Sequence, residues 1–274
     1  MNDKPFGAYA PSGMVRWLID RTGALPAETW SARRAALVLR HVVMHMTKGA
    51  PFDVKRLGVR MRLSPYTNIC EKKVLFTPQF FDPEERAILA ARMRDDFRFI
   101  DVGANVGAYS LFVAGQAGRA AHILAVEPQP DIFDRLAYNI ALNPFGTVKA
   151  VACAVADKPG ELTLFLDPRN SGESSVKIVG STQAEAIRVP AVTLLDLVRQ
   201  EGFERVDAMK LDVEGAEDII LEPFFRFAPP ELHPTLLIIE ADSGQWQTDL
   251  PTLLEANDYR LLTTTRLNLV YERV

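Results

Sequence analysis

Phe99-Ile100-Asp101-Val102-Gly103-Ala104-Asn105-Val106-Gly107-Ala108-Tyr109-Ser110 joins three kinds of local structure in one short stretch. The apolar run 97–102 reads as a buried strand, and 106–114 is compatible with a helix. Between them lies a tight turn rich in glycine, the residue that takes φ > 0 or allows close backbone approach without steric cost. Strand, Gly-rich turn and helix in that order open the folds that bind nucleotide cofactors.

The turn departs from the dinucleotide fingerprint G-x-G-x-x-G, because Asn105 stands where the second glycine would be. A pyrophosphate needs bare backbone N–H groups at a helix N-terminus. Asp101 at the strand end would put a negative charge beside it, which disfavours a nicotinamide oxidoreductase. S-adenosylmethionine carries a sulfonium, an ammonium and a carboxylate. Asp101 suits its positive groups, and the N–H groups of the turn (Gly103, Ala104, Asn105, Gly107) suit its carboxylate. Ser110 is within reach on the first helical turn. A second apolar run, 121–126, ends in Glu127-Pro128. Glu127 follows Gly103 by 24 residues, the place from which an acid accepts hydrogen bonds from ribose hydroxyls. Pro128 limits further strand or helix. Ala154 to Asp157, at the end of a third strand, is where an adenine edge would lie. Asp157 is either an acceptor for the exocyclic amine or a turn acid before Lys158-Pro159-Gly160.

The 274 residues are 48% hydrophobic and 24% charged, enough for one large domain or a domain with an appendage. Net charge is −4 and pI about 5.7, so there is no global attraction to nucleic acid. Cys70 and Cys153 lack metal-ligand spacing and form no disulfide framework. No apolar run is long enough for a membrane span, and the N-terminus lacks a signal-peptide pattern, so the expected location is cytoplasmic.

Along the chain, 1–13 reads as mobile, 14–21 as a short helix, and Ser31 as the cap of a helix reaching about Met46. That helix carries Arg33, Arg34, Arg40, His41, His45 and Lys48 around an apolar face. It reads as a packing helix, with peripheral contact to a membrane surface as the alternative. Trp17 and Trp30 suggest a homodimer interface or a lid. Alternation in 57–63 and 69–76 suggests a hairpin, and Asp82-Pro83-Glu84-Glu85 starts a helix to about 94. From 97 strands and helices alternate: strands 97–102, 122–127, 147–155, 207–213 and 235–241, then a final pair at 259–264 and 267–273. An extra strand pair, 161–166 and 187–192, flanks the polar loop 170–175. The expected fold is α/β, a doubly wound, mostly parallel seven-stranded Rossmann-like sheet with a C-terminal antiparallel hairpin and an N-terminal helical appendage. The expected boundary separates residues 1–56 from 57–274.

In Asp207-Ala208-Met209-Lys210-Leu211-Asp212-Val213-Glu214-Gly215-Ala216-Glu217, ionisable groups alternate at 210, 212 and 214 at the end of an apolar strand. Period 2 puts them on one side of the pleat. Such burial is costly unless the groups pair or bind something. They serve either a reaction or a structural ion pair.

Asp-Val-Gly-Ala-Asn-Val-Gly (101–107), Val-Glu-Pro (126–128), Ala-Val-Ala-Asp (154–157), the Gly/Ser loop 171–175 and Lys-Leu-Asp-Val-Glu-Gly-Ala-Glu (210–217) together resemble the FkbM-type methyltransferase family. The resemblance spans about 57–272, and Lys-x-Asp-Val-Glu-Gly is its discriminating part. It implies an S-adenosylmethionine-dependent O-methyltransferase acting on a hydroxyl, often of a sugar or natural product. Methyl transfer needs an aligned acceptor and a group to take its proton. Candidates are Asp212, Glu214, Lys210 and Glu240. A protonated lysine cannot accept a proton, so Lys210 is read as an orienting or charge-stabilising group. Asp212, Glu240 and Asp242 could hold Mg²⁺, which favours oxygen ligands. Ser174 and Ser175, on the polar loop, could contact the acceptor as the loop closes. The acidic pI and the absence of an Asn/Asp-Pro-Pro-aromatic tetrapeptide at 212–215 argue against a nucleic-acid acceptor. A non-catalytic cofactor-binding scaffold remains the alternative from a different class.

Overall fold

The computed structural model describes residues 4–26, 29–47, 49–167, 170–175, 185–241 and 246–274, with the side chains of 166–185 left aside. Ahead of the glycine turn come α1 (Gly13–Gly23), α2 (Trp30–Thr47), the hairpin β1 (Phe52–Arg56) and β2 (Val59–Leu63), α3 (Ile69–Phe76) and α4 (Pro83–Ala90). Then follow β3 (Arg98–Val102), α5 (Ala108–Ala114), β4 (His122–Val126), α6 (Pro130–Ala141), β5 (Val148–Val151), β6 (Ala154–Ala156), β7 (Gly160–Asp167), β8 (Asn170–Ser175) and β9 (Glu185–Thr193). The chain ends with α7 (Leu194–Gln200), β10 (Ala208–Leu211), α8 (Glu217–Phe227), β11 (Leu236–Glu240), α9 (Leu250–Glu255), β12 (Tyr259–Thr264) and β13 (Asn268–Arg273).

The main sheet has seven strands in the order β12-β13-β11-β10-β3-β4-β5. β13 runs antiparallel to both neighbours, and the pairs from β11 to β5 are parallel. This is the expected doubly wound sheet with its C-terminal hairpin. The chain reverses direction across the sheet between β3 and β10, the place where α/β folds bind ligands. Alternation along the buried strands divides the core. Phe99, Ala208, Leu236 and Ile238 face α5, α3 and the β1–β2 hairpin. Ile100, Met209, Leu237 and Ile239 face α7, α8 and α9.

Four local expectations are corrected. Residues 69–76 form α3, because the Asn68 side chain caps it by accepting from the Glu71 N–H at 3.1 Å. The true partner of 59–63 is 52–56, joined by Leu57-Gly58 with both φ values positive (52° and 85°), the geometry of a tight hairpin turn. The single strand expected over 147–155 breaks after Val151. The Glu127 N–H still reaches the Val151 carbonyl, but the next ladder donor, the Gln129 N–H, is taken by the Glu127 side chain at 2.9 Å. The chain therefore leaves the ladder, and β6 pairs with β9 in a second sheet of order β6-β9-β7-β8. Residues 170–175, expected as a loop, are β8, paired with β7.

Residues 4–9 are tied down, against the expectation of a mobile 1–13. Asp53 and Arg62 form a buried ion pair at 2.7 Å across the β1–β2 hairpin. Asp53 also accepts from the Gly7 and Tyr9 N–H groups, and the Arg62 guanidinium donates to the Lys4 and Pro5 carbonyls. Tyr9 and Tyr138 stack against the guanidinium, at 4.8 and 4.5 Å from their ring centroids. The expected boundary at 56/57 falls within this hairpin, whose Val54 and Met61 share a core with Leu18, Val43 and Phe99. Trp17, Trp30, Leu37, Val38, Val42 and Met46 are exposed. Among the described residues, no helix is long and apolar enough to cross a membrane.

Burial raises the Asp53 pKa, but the Arg62 contact and two backbone donors outweigh it and hold the carboxyl below its ordinary value. Its stabilising contribution is therefore complete above the ordinary carboxylate range and is lost as pH falls below it. Asp53→Ala strands a buried guanidinium and should cost about 3–5 kcal/mol in urea unfolding. Asp53→Leu with Arg62→Met should cost clearly less; equal losses would mean the pair's charge is irrelevant.

Candidate active site

A cleft of about 1300 Å³, partly open to solvent, lies over the C-terminal ends of β11, β10, β3 and β4. Strand order fixes the sequence of groups along its floor. Glu240 ends β11, Asp212 follows β10, Gly103 follows β3, Glu127 follows β4, and Ala154 begins β6.

The register of β3 against β10 places Lys210 opposite Asp101. Strand alternation then puts Asp101, Lys210 and Glu240 on the α5 side of the sheet, with Phe99, Ala208 and Ile238. Asp212 continues this pattern: its N–H bonds to the Val102 carbonyl at 3.1 Å, carrying the ladder one residue past β10. Lys210 donates to Asp212 at 2.5 Å and lies 5.1 Å from the Tyr109 ring centroid. Burial alone would lower the Lys210 pKa, but Asp212, Asp101 and Asp82 raise it above its usual value. The surrounding carboxylates thus favour the charged form of Lys210. Burial pushes the Asp212 carboxyl up, but Lys210 pulls it down further, so Asp212 stays ionised.

Glu240 has the opposite character. Burial and the nearby Asp212 and Glu214 push its pKa up to about 9. Its Oε2 is buried and makes no hydrogen bond. Asp212, Glu214 and Glu240 each bring one carboxylate oxygen within 4.8 Å of the others. Glu214 reaches this cluster from a left-handed backbone (φ 55°), followed by Gly215 at φ 87°. The turn is held from below by Glu217, which accepts from the Val213 and Gly215 N–H groups and from Trp246 Nε1.

The glycine turn works differently from the expectation. Gly103 and Ala104 both donate to the Val126 carbonyl, and Asn105 donates to Glu127 Oε2 at 2.9 Å. The Val106 N–H bonds to Asn105 Oδ1, and the Gly107 N–H to the Ala104 carbonyl. These N–H groups are therefore committed within the protein and do not form a ready cradle for a ligand carboxylate. Gly103 is required for packing: at φ 78°, an added Cβ would lie 2.0 Å from the Asp212 carbonyl oxygen. Gly107 lies away from the cleft lining, and a Cβ there would meet Leu136 at 2.7 Å. Ser110 is fully buried and donates through both N–H and Oγ to Asp101, so it positions Asp101 and does not line the cleft.

Glu127 accepts from Asn105 and Gln129 while still lining the cleft beside Pro128. Burial pushes its pKa up to about 7, against the pull of those two N–H donors. Ala154 lines the cleft with Cys153, Val155 and Leu164. Asp157 is exposed and off the cleft lining, which favours its reading as a turn acid. Asp242 and the side chains of Ser174 and Ser175 lie outside the described residues. His122 stacks on Phe203 and His233 packs against Phe225, both remote from the cleft.

Several lining residues escaped the sequence reading. Asp82 has the pattern of a helix cap, yet its side chain makes no capping bond. From a left-handed backbone (φ 42°) it turns into the cleft and accepts from Tyr109 Oη at 3.0 Å. Asn68 donates through Nδ2 to Asn105 Oδ1 at 2.8 Å, joining α3 to the glycine turn. Lys73, Leu267 and Asn268 complete the end next to Glu240. Asp-Pro-Glu-Glu carried a signal for a helix start and none for a cleft.

A family model described as the methyltransferase FkbM domain matches residues 101–261. Methyltransferase sdnD of Sordaria araneosa is 30% identical over 179 residues, covering 55% of this chain and 66% of that protein. Hexuronic acid methyltransferase AglP of Haloferax volcanii is 28% identical over 185 residues, 67% of this chain and 71% of that one. Among solved structures, methyltransferase FkbM from Methylobacillus flagellatus KT aligns with a TM-score of 0.43 and 16% identity, over 74% of this chain and 54% of that chain. The chain thus spans about two thirds of the Sordaria relative and about half of the Methylobacillus chain.

A raised folded pKa for Glu127 favours its neutral form in the folded state. This contribution to stability is complete below the ordinary glutamate pKa and is lost as pH rises toward 7. Glu127→Gln should flatten that part of the ligand-free stability profile, by about 3 kcal/mol between pH 4 and 8. Identical pH slopes for the two proteins in urea titrations would refute this.

Proposed function

This chain belongs to the FkbM methyltransferase family, and we propose that it is an S-adenosylmethionine-dependent O-methyltransferase acting on a hydroxyl of a small molecule, sugar or natural product. One observation carries the reading. Asp101, Lys210, Asp212 and Glu240 share one face of adjacent strands, with an apolar, acid-capped shelf (Glu127 to Val155) on one side and open cleft on the other.

The residues fit the cofactor at the shelf. Glu127 keeps unused acceptor capacity for ribose hydroxyls, since each oxygen serves one backbone donor. Cys153, Val155 and Leu164 offer an apolar slot for an adenine. The carboxylates of Asp101 and Asp212 suit a ligand with positive charge, a fit a pyrophosphate would lack. When bound, S-adenosylmethionine supplies a sulfonium methyl that is electrophilic toward an oxygen. Asp212, ionised and facing the cleft, holds the proton that the acceptor hydroxyl loses. Lys210 fixes Asp212, and Glu240 and Glu214 confine the acceptor at the opposite side. The hexuronic acid relative supports a sugar-type acceptor.

A second reading adds Mg²⁺ at Asp212, Glu214 and Glu240, in place of the set with Asp242. The carboxylate cluster and the unpartnered Glu240 Oε2 favour it, since oxygen ligands suit this ion. Such a cation would replace the proton on Glu240 and lower the pKa of a bound hydroxyl.

Calorimetric titration with S-adenosylmethionine should give micromolar binding, and labelled-methyl transfer to hydroxylated acceptors should follow. Binding without transfer to any acceptor would favour a scaffold; no binding would sink the enzyme reading. EDTA should abolish transfer only if the metal reading holds. Asp212→Asn should lower kcat by roughly 10²–10⁴-fold while S-adenosylhomocysteine still binds.

A further inference from the structure

A second groove opens off the end of the cleft farthest from Glu127. It shares Lys73, Asp82 and Leu267 with the cleft and encloses about 770 Å³, part of it open to solvent. Its walls bring three cations from separate elements: Arg40 from α2, Lys73 from α3 and Arg266 from the β12–β13 turn. The pairing of Glu240 with Asn268 holds that turn against the acceptor side of the cleft.

The groove also has acids, but two of the three are already engaged. Glu85 is 2% exposed and accepts from Thr265 Oγ1 and Asn268 Nδ2 through the same oxygen. Asp82 accepts from Tyr109 and lies in the field of Lys210. Glu84 alone is exposed, in the first turn of α4. Among the described residues, the Arg40, Lys73 and Arg266 side chains form no ion pair or hydrogen bond within the protein. Arg40 is half-buried, and its desolvation disfavours the charged guanidinium. A partly buried cation without a partner is costly in isolation and becomes favourable when an anion meets it.

We propose that this groove binds an anionic group of the methyl acceptor, a carboxylate or a phosphate, and so orients the acceptor hydroxyl toward Asp212. The proposal rests on the reading of the cleft as a methyl-transfer site. Arg40 supplies a planar fork for two oxygens of the anion, Lys73 a point charge at the junction with the cleft, and Arg266 an outer charge. Phe80 and Pro83 offer apolar contact for the rest of the acceptor. A neutral acceptor would leave Arg40 desolvated and unpaired.

The test uses the full chain saturated with S-adenosylhomocysteine and three probes: p-nitrophenyl β-D-glucuronide, glucose 6-phosphate and neutral p-nitrophenyl β-D-glucoside. At least one anionic probe should bind roughly tenfold more tightly than the glucoside. Which one does so separates a carboxylate from a phosphate preference. Arg40→Gln with Lys73→Gln should erase the preference, and Arg266→Gln should weaken it. Lys55→Gln, an exposed cation outside the groove, should leave it intact. Far-ultraviolet circular dichroism and the urea unfolding midpoint, unchanged in every variant, report that each still folds. Equal binding of charged and neutral probes, a preference that survives the double substitution, or no binding of any probe at millimolar concentration would overturn the groove assignment. Failure of S-adenosylhomocysteine itself to bind the unaltered chain would instead bring down the methyltransferase reading beneath it.

Discussion

Everything around the cleft depends on one buried cation. Lys210 is 4% exposed, set by strand register opposite Asp101, and bonded to Asp212. An ammonium in such a place is tolerable only with carboxylates around it. Asp101, Asp212 and Asp82 supply them from β3, from the turn after β10 and from the start of α4. The consequence runs both ways. Asp212 is kept ionised by Lys210, whereas Glu240, farther along the sheet and crowded by Asp212 and Glu214, is pushed toward its protonated form. The two neighbouring carboxylates are thus shifted in opposite directions, Glu240 up by burial and by Asp212 and Glu214, Asp212 down by Lys210, and acid–base chemistry needs such a difference.

A second constraint is the satisfaction of backbone N–H groups at the ends of the parallel strands. There the ladders stop and the turns must find other acceptors. Buried carboxylates do this repeatedly: Glu127 for Asn105 and Gln129, Glu217 for Val213 and Gly215, Asp101 for Ser110. These acids shape the turns, and Glu127 and Asp101 also line the cleft. Glu127 also ends the β4–β5 ladder by capturing the Gln129 N–H, and so releases β6 to the second sheet. The wall formed by Cys153, Ala154 and Val155 follows from that break.

The N-terminal elements form the other wall. The Asp53–Arg62 pair pins residues 4–9, and the hairpin packs into the same core as the central strands. From that base α3 presents Asn68 to the glycine turn and Lys73 to the cleft mouth, while α4 presents Asp82. Residues of α1 and α2 (Leu18, Val43) and of the hairpin (Val54, Met61) share one core with Phe99 of the central sheet, so the first 56 residues pack onto the same body that carries the cleft.

The sequence by itself determined most of the order of strands and helices from residue 97 onward (the break after Val151 and the strand at 170–175 excepted), the glycine turn, the acid after the second strand, and the alternation of Lys210 and Asp212. All of these rest on local chemistry: period-2 patterning, turn residues and caps act over a few positions. Asp101, Asn105, Glu127, Lys210, Asp212, Glu214 and Glu240 were legible for that reason, and the structure brings them to one cleft. Gly107, Ser110 and Asp157 carried the same kind of signal, yet the first two serve packing or Asp101, and Asp157 faces solvent. Only the tertiary structure decided that the turn N–H groups are spent on Val126 and Glu127, that β6 abandons the main sheet, and that Asn68, Lys73 and Asp82 reach the site. Those outcomes depend on which distant group arrives as hydrogen-bond or charge partner. No pattern confined to neighbouring residues specifies that arrival.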